Sequence, residues 1–400
     1  MPTSTDQRVD AIRQALGSVN DPEIRRPITD LGMVRSIEVD GSRATVEISL
    51  TVAGCPLKGT LTRDVTAAAL TVPGVETVDV PLGVMDDAQR TALRQMLQGT
   101  SGAEREIPFA QPGSPTQVIA VASGKGGVGK SSVTANLAIA LAREGKSVGV
   151  LDADVYGHSI PAMFGLADAR PTSLEEMILP VPVQWLHDEL AAAGSRGTVK
   201  VISIGMLKPR RDQVVAWRGP ILDRALTQML VDVFWGDLDY LLLDLPPGTG
   251  DVAISLGQKV PNAQVLVVTT PQQAAAEVAE RAGTMASMLN QRVVGVVENM
   301  AFLQVHCPSC GHDHAVDVFG SGGGEQVAAT LSTRLGYAVP LLAQVPLDPQ
   351  VRQGGDTGVP VLDTDPGIPA SVALNRVAQA LLQRAPSLLG RSLGLDPVGR

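Results

Sequence analysis

The sequence has few aromatic residues, few cysteines and no long uninterrupted apolar run. Phe, Trp and Tyr make up 3% of its 400 residues, so the core must consist mainly of aliphatic side chains. Three cysteines are too few for the disulfide framework of a small secreted domain, so a metal-binding or redox-active pair is expected. Without a run of transmembrane length or a signal-peptide pattern, we expect a soluble cytoplasmic protein with no membrane partner.

Positive charge is also scarce. The 32 lysines and arginines stand against 41 aspartates and glutamates, which gives a formal net charge of −9. This balance argues against non-specific binding to nucleic acid, and we expect no nucleic-acid partner. A hydrophobic content of 44% and a charged content of 18% are typical of a packed globular protein, and the length allows two or three domains.

Local patterns divide the chain into two predicted domains. Residues 7–98 mix helical and alternating strand patterns, which is typical of a small α+β domain. Residues 99–116 are rich in Gly, Pro and Ser and indicate a flexible linker. Residues 117–385 form the larger predicted domain, and residues 386–400 are expected to be a flexible tail.

Apolar, β-branched runs alternate with helical segments throughout the larger domain. This alternation predicts an α/β fold with a mostly parallel sheet covered by helices on both faces. Ligands of such sheets bind at the carboxyl ends of the strands, so motifs that follow the strands should converge. The strand candidates are residues 118–122, 147–151, 199–204, 239–243, 264–269 and 293–297.

The most informative motif is a glycine-rich loop after the first of these strands. Residues 124–131 read Gly-Lys-Gly-Gly-Val-Gly-Lys-Ser and fit the phosphate-loop pattern G-x-x-x-x-G-K-[ST]. Lys130 is expected to reach the β- and γ-phosphates, and the Ser131 hydroxyl to bind Mg²⁺. Lys125 is a second cation that suggests a contact with the nucleotide of a neighbouring subunit. The predicted nucleotide-binding residues of the loop are Gly124, Lys125, Gly126, Gly127, Val128, Gly129, Lys130, Ser131 and Ser132.

Polar side chains follow three further strands. Asp152 and Asp154 follow strand 147–151, where they would support Mg²⁺ or orient an attacking water, and Asp154 is better placed for the water. Capping of the next segment is the alternative. Asp244 follows strand 239–243 in a Walker-B arrangement and is expected to hold Mg²⁺ through a water. The loop after it is a candidate nucleotide switch. Asn299 would bind adenine or close a turn.

A C-x-x-C motif is the second strong feature. Cys307 and Cys310 place two thiolates on one soft metal, but two thiolates are only half a site. His312 and His314 would complete a zinc site in cis, and Cys55 is another possible donor. The same cysteine pair from a second chain would make a four-thiolate site for [4Fe–4S] or zinc. A redox dithiol is less compatible, because the motif does not open a helix in a thioredoxin-like unit.

Together these motifs resemble the Mrp/ApbC family of P-loop iron–sulfur carrier ATPases, in the deviant Walker-A class that includes MinD. The resemblance covers nearly all of residues 117–365, including Leu-Asp-Leu-Pro-Pro-Gly-Thr-Gly-Asp and Cys-Pro-Ser-Cys-Gly. The N-terminal part, with its Asp21-Pro-Glu and Gly-Cys-Pro stretches, is similar to the SufT-like domain often fused ahead of these ATPases. Two departures from the family pattern, His158 and Ser132, remove no proposed ligand.

The resemblance implies a homodimer with two ATP sites near its interface. Lys125 would contact the partner's nucleotide, Asp154 would position the attacking water, Asp244 would support magnesium and Asn299 would bind adenine. The C-x-x-C pairs of two protomers would share one bridging [4Fe–4S] cluster. The implied function is ATP-dependent transfer of this cluster from donors to client apoproteins. A MinD/ParA-like positioning ATPase and a zinc-stabilised dimeric nucleotide-binding scaffold are the alternatives.

Overall fold

The computed structural model shows two compact units. It describes residues 5–51, 58–98, 107–111, 113–154, 157, 159–174, 177–184, 197–207, 219–248 and 250–384. The smaller unit takes its described residues from 1–104, 171–180 and 232–236, and the larger unit from 105–170, 181–231 and 237–400. Among the described helices, none combines the length and the hydropathy that a membrane crossing requires.

The helices and strands are numbered in chain order. The first seven elements are α1 (Thr5–Leu16), β1 (Val34–Asp40), β2 (Arg43–Leu50), α2 (Lys58–Leu70), β3 (Thr77–Asp79), β4 (Leu82–Val84) and α3 (Asp87–Gln98). The next nine are β5 (Gln117–Ser123), α4 (Lys130–Arg143), β6 (Ser147–Asp152), α5 (Ser159–Met163), β7 (Thr172–Leu174), β8 (Met177–Leu179), β9 (Val181–Pro182), β10 (Thr198–Ser203) and α6 (Gly219–Val231). The remaining elements are β11 (Tyr240–Asp244), α7 (Asp251–Lys259), β12 (Gln264–Thr269), α8 (Gln273–Met288), β13 (Arg292–His306), β14 (Asp313–Val316), α9 (Gly323–Leu335), β15 (Leu341–Leu347), α10 (Pro349–Thr357), α11 (Val361–Thr364) and α12 (Pro369–Leu382).

The smaller unit is an α+β arrangement around strand β2. This strand pairs antiparallel with β1 and parallel with the short strands β3 and β4. Its alternating residues Ala44, Val46 and Ile48 are fully buried and pack with the apolar face of α1. The antiparallel pair β7–β8 belongs to the same core, which extends the unit beyond the division expected from the linker at 99–116.

The larger unit is built on a mostly parallel sheet, which confirms the predicted α/β P-loop fold. Among the described strands, the parallel order is β15–β13–β12–β5–β11–β6–β10. Strand β9 pairs antiparallel with β10, and β14 pairs antiparallel with the end of β13. Helices α4 and α12 pack with each other, as do α8 and α9. Because α4 is buried along almost its whole length, its small and aliphatic side chains make it a core helix.

Strand β13 is longer than the sequence predicted. The candidate strand 293–297 was expected to end before Glu298, but the strand continues to His306. Met300 has a φ of +56°, and the pairing with β15 shifts register between Asn299 and Leu303. Such an irregularity bends a strand without ending it. The C-x-x-C motif therefore lies at the far end of the same strand that passes the glycine-rich loop.

Candidate functional site

The glycine-rich loop connects the end of β5 to the start of α4, near the middle of the sheet. Gly129 has a φ of +78°, and a Cβ there would lie 2.2 Å from the side-chain nitrogen of Asn299. A Cβ on Gly124 would lie 2.3 Å from the backbone carbon of Val278 in α8. Only glycine fits at these two positions. The loop leads into a helix N-terminus, where free backbone N–H groups favour phosphate.

Asp244, at the end of β11, is surrounded by three side chains of α4. The Nζ atom of Lys130 lies 2.7 Å from Oδ1, and the Ser131 hydroxyl donates to Oδ2 at 2.6 Å. The Thr134 hydroxyl lies 2.9 Å from Oδ1. Asp244 is fully buried and Lys130 is 6% exposed, so this ion pair is shielded from solvent. The structure thus brings together the residues predicted to bind phosphate and magnesium.

Thr134 was not among the predicted site residues. It follows Lys130 by four positions on a helix, so both side chains lie on one face, and this spacing was the available signal. With Ser131 and Asp244 it forms a set of two hydroxyls and one carboxylate. Magnesium prefers oxygen ligands of this kind, so the residues present fit the ion that the motif implies.

The remaining loop residues make few described side-chain contacts. Gly126 and Gly127 are exposed. Ser132 is half-buried, and its backbone carbonyl accepts a hydrogen bond from Asn136 Nδ2 at 2.9 Å. Their predicted contacts with a nucleotide stay predictions.

A second buried carboxyl group lies beside Asp244 on the neighbouring strand β6. Asp152 is in register with Asp244 and accepts a hydrogen bond from Ser203 Oγ at 3.0 Å. Burial, followed by the charge of Asp244, raises the pKa of Asp152 to about 8. Asp154 accepts a bond from the backbone N–H of Gly157 at 3.0 Å, which is the loop-capping contact considered above. Water positioning by Asp154 stays a prediction.

Lys125 contacts its own chain in this structure. Its Nζ atom donates to Oε1 of Gln272, the residue before α8, at 2.6 Å. The loop after Asp244 is also tied down, because the N–H of Gly248 donates to the carbonyl of Ser123 at 2.9 Å. Contact between Lys125 and a partner's nucleotide would therefore require it to leave Gln272.

Asn299 lies within β13, and its position corrects the expectation that it follows a strand end. It is 8% exposed, and its Nδ2 atom donates to the carbonyl of Val128 at 2.9 Å. This contact is the turn-closing alternative considered for Asn299, and it occupies a donor that adenine binding would use. It also joins β13 directly to the phosphate loop.

Glu298 anchors β13 next to this contact. Its carboxylate is fully buried and accepts bonds from the N–H of Gly324 at 3.1 Å and from Gln344 Nε2 at 2.6 Å. These bonds hold the strand to the start of α9 and to β15. The strand is thus fixed at the phosphate loop. It ends at His306, seven residues after Asn299, where the hairpin that carries the cysteines begins to turn.

The two cysteines lie in the turn of the hairpin formed by β13 and β14. The N–H of Cys307 donates to the carbonyl of His312 at 2.9 Å, and the N–H of Gly311 donates to the carbonyl of Cys307 at 2.8 Å. These bonds close the turn and bring the thiols together. The ligand atoms of Cys307, Cys310 and His314 all lie within 4.8 Å of one another. The predicted pairing of Cys307 with Cys310 is therefore present within one chain.

The surroundings of the thiols favour metal binding. Backbone N–H groups, first that of Cys310 and then that of Ser309, lower the pKa of Cys307 and favour the thiolate, the form that binds metals. The Cys310 sulfur lies 3.2 Å from Nε2 of His314. Among the described residues this group has three members, and the His312 side chain is not one of them. Cys55 and His158 lie outside the described residues.

Comparisons with known proteins cover both units. The family model of the NUBPL iron-transfer P-loop NTPase matches residues 114–382. A second model, described as an iron-sulfur cluster assembly protein, matches residues 9–80. These matches confirm the resemblance that the motifs indicated, including the additional N-terminal domain.

Similar proteins have related names. An iron-sulfur cluster carrier protein of Mycobacterium bovis is 56% identical over 392 residues, covering 98% of this chain and 97% of the relative. One from Deinococcus radiodurans is 42% identical, covering 93% of this chain and 94% of the relative. Among solved structures, a nucleotide-binding protein from Archaeoglobus fulgidus in complex with ADP is 36% identical, with a TM-score of 0.48, covering 62% of this chain and 92% of that one.

Proposed function

Because the chain belongs to the family of NUBPL iron-transfer P-loop NTPases, the Mrp/ApbC class, we propose that it binds and hydrolyses ATP and transfers a [4Fe–4S] cluster to apoproteins. The observation that carries this proposal is the path of β13. One strand contacts the phosphate loop through Asn299 and ends at His306, next to Cys307, so one continuous element connects the phosphate loop to the cluster residues.

The nucleotide half of the proposal rests on the cluster around Asp244. Lys130 would bind the phosphates, while Ser131 and Asp244 would hold Mg²⁺, which supplies charge neutralisation at the phosphates when bound. Lys125 would leave Gln272 and contact the nucleotide of a partner, and Asp154 would orient the attacking water. Both are proposals supported by the family pattern, and in this structure Lys125 donates to Gln272 of its own chain.

The cluster half rests on ligand number. A [4Fe–4S] cluster is held by four thiolates, and each chain places two on its exposed hairpin. Two copies that meet at this hairpin would supply all four, which supports a homodimer with a bridging cluster as cargo. Free thiols persist in reducing compartments, so we propose a cytoplasmic location.

A conformational change caused by the bound nucleotide would be transmitted to the cluster along β13. A change at the phosphate loop would act on the Val128–Asn299 bond, while Glu298 holds the strand in place beside it. The hairpin beyond Leu303 has no comparable buried anchor among its described contacts, because the bonds of Gln304 and His306 are exposed. We propose that this part of the strand transmits the change to the thiolates.

The test is iron and sulfide analysis of the full chain after anaerobic cluster reconstitution. We expect four iron and four sulfide per dimer in the parent, as the proposed cluster type requires. Cys310→Ala should lose the cluster and keep ATP binding, whereas Lys130→Ala should lose ATP hydrolysis and keep the cluster. His312→Asn, in the same turn, is the matched control, because the His312 side chain lies outside the group of ligand atoms. Equal iron content in parent and Cys310→Ala would refute the cluster assignment, and hydrolysis by Lys130→Ala would refute the phosphate site.

A further inference from the structure

Strand pairing in the hairpin gives its histidines different surroundings. His306 pairs with Asp313, and its Nδ1 atom lies 2.9 Å from an Asp313 carboxylate oxygen. His314 follows Asp313 and is opposite Val305, so its side chain lies on the other face of the strand. On that face its Nε2 atom meets Cys310 Sγ at 3.2 Å. The register of the hairpin therefore determines that His314, and not His306, lies next to the thiols.

We propose that Cys307, Cys310 and His314 of a single chain bind one divalent cation of the zinc class. Their ligand atoms already lie within 4.8 Å of one another. In a tetrahedral zinc site, bonds of about 2.3 Å to sulfur and about 2.0 Å to nitrogen place the ligand atoms roughly 3.5–3.8 Å apart. Shifts of about 1 Å or less in these side chains would therefore suffice. Two thiolates with one imidazole form the donor set that zinc accepts in tetrahedral geometry.

This site differs from the bridging cluster in the number of chains that supply its ligands. Three ligands from one chain leave a fourth position, and Cys310 and His314 are exposed, so this position opens to solvent. A second copy of the chain is not required. The ion and the bridging cluster would use the same two thiolates, so they would exclude each other. Binding of this ion does not depend on cluster assembly, because it needs the ligands of only one chain.

Anaerobic titration of the reduced, metal-free full chain with Co²⁺ tests the site. We expect one Co²⁺ per chain with the visible absorption of tetrahedral cobalt, displaced by Zn²⁺. X-ray absorption of the zinc form should show two sulfur ligands and one imidazole nitrogen. Loss of an outer-sphere partner of a metal ligand weakens binding about 10–100-fold, so His314→Asn should weaken Co²⁺ binding by about 100-fold or more.

Two neighbouring histidines provide matched controls. His312→Asn keeps the backbone carbonyl that closes the turn, and His306→Asn changes only the exposed contact with Asp313. Both should bind Co²⁺ as the parent does. Unchanged affinity in His314→Asn, or one ion per two chains with four sulfur ligands, would overturn the proposal. Failure to form a cluster would instead count against the proposed function, because the Co²⁺ titration of the metal-free chain is measured separately from cluster reconstitution.

Discussion

Replacement of Asn299 by alanine tests the link between β13 and the phosphate loop. In the parent, the Asn299 amide donates to the carbonyl of Val128, and the two residues are 8% and 2% exposed. Alanine removes the donor and leaves this carbonyl buried without that partner. The same amide packs against Gly129, where a Cβ would lie 2.2 Å from its nitrogen. The substitution therefore removes both a bond and a packing contact from the loop.

The expected effect follows from the burial of the bond. A buried polar group left unsatisfied costs about 1–3 kcal/mol, so the free energy of unfolding should fall by about that amount. The loop must then be ordered by the nucleotide itself, so ATP and ADP affinity should fall by about tenfold, which corresponds to about 1.4 kcal/mol. Urea unfolding and calorimetric titration with ADP measure the two effects.

Gln304→Ala is the matched control for this substitution. Gln304 carries another side-chain amide on β13, but it is exposed and its contact with Asp313 is 3.5 Å long. A surface change of this kind should alter stability by less than about 0.5 kcal/mol and leave nucleotide affinity unchanged. If Asn299→Ala behaves like Gln304→Ala in both measurements, the phosphate loop does not depend on β13, and the proposed route to the cysteines is wrong.

Three further predictions concern the residues around the phosphate loop. Burial raises the pKa of Asp152 to about 8, so the stability that its protonated form contributes is lost as pH rises from about 4 through 8. Asp152→Asn should therefore flatten the pH dependence of the unfolding free energy, measured with urea, over this range. An unchanged slope would contradict this prediction. Gln272→Ala should release Lys125 and lower the ATP concentration needed for dimerisation, measured by analytical ultracentrifugation. Gln272→Glu should hold Lys125 more firmly and raise this ATP concentration. If Gln272→Ala needs more ATP than Gln272→Glu, the contact does not restrain Lys125. Lys130→Ala leaves buried Asp244 without its cation and should lower the free energy of unfolding by about 3–5 kcal/mol. The double variant Lys130→Ala/Asp244→Asn should recover part of this loss, because it removes the unpaired carboxylate. No recovery would mean that the unpaired charge of Asp244 does not cause the loss of stability.

The parallel sheet was predictable from sequence because its strands are buried on both faces. The run 118–122 became Gln117–Ser123, and the run 264–269 matches β12 at both ends. Continuous aliphatic runs of this kind carry a strong local signal. The Asp244 cluster was predictable for a related reason, since parallel strands bring their carboxyl ends to one edge.

The parts that were missed depend on contacts between distant segments or on irregular backbone. Strand β1 has only partial alternation, and its pairing with β2 shifts register between Val34 and Ser36, so its two-residue period is broken. The extension of β13 runs through the irregular backbone at Met300, whose positive φ no hydrophobic pattern reveals. Leu174 and Met177 enter the core of the smaller unit from far along the chain, and their local sequence does not indicate it.

The central place of β5 in the sheet has a consequence for biosynthesis. Its neighbours on either side are β11 and β12, so Gln117 and Ile119 find their strand partners at Tyr240 and Gln264. A ribosome must therefore translate well over a hundred more residues before the phosphate loop can acquire its native support, and closing such distant pairings is slow. Cys307 and Cys310 follow within about 45 residues of that point, so a nascent chain would expose these two thiols only when its ATPase framework is almost complete.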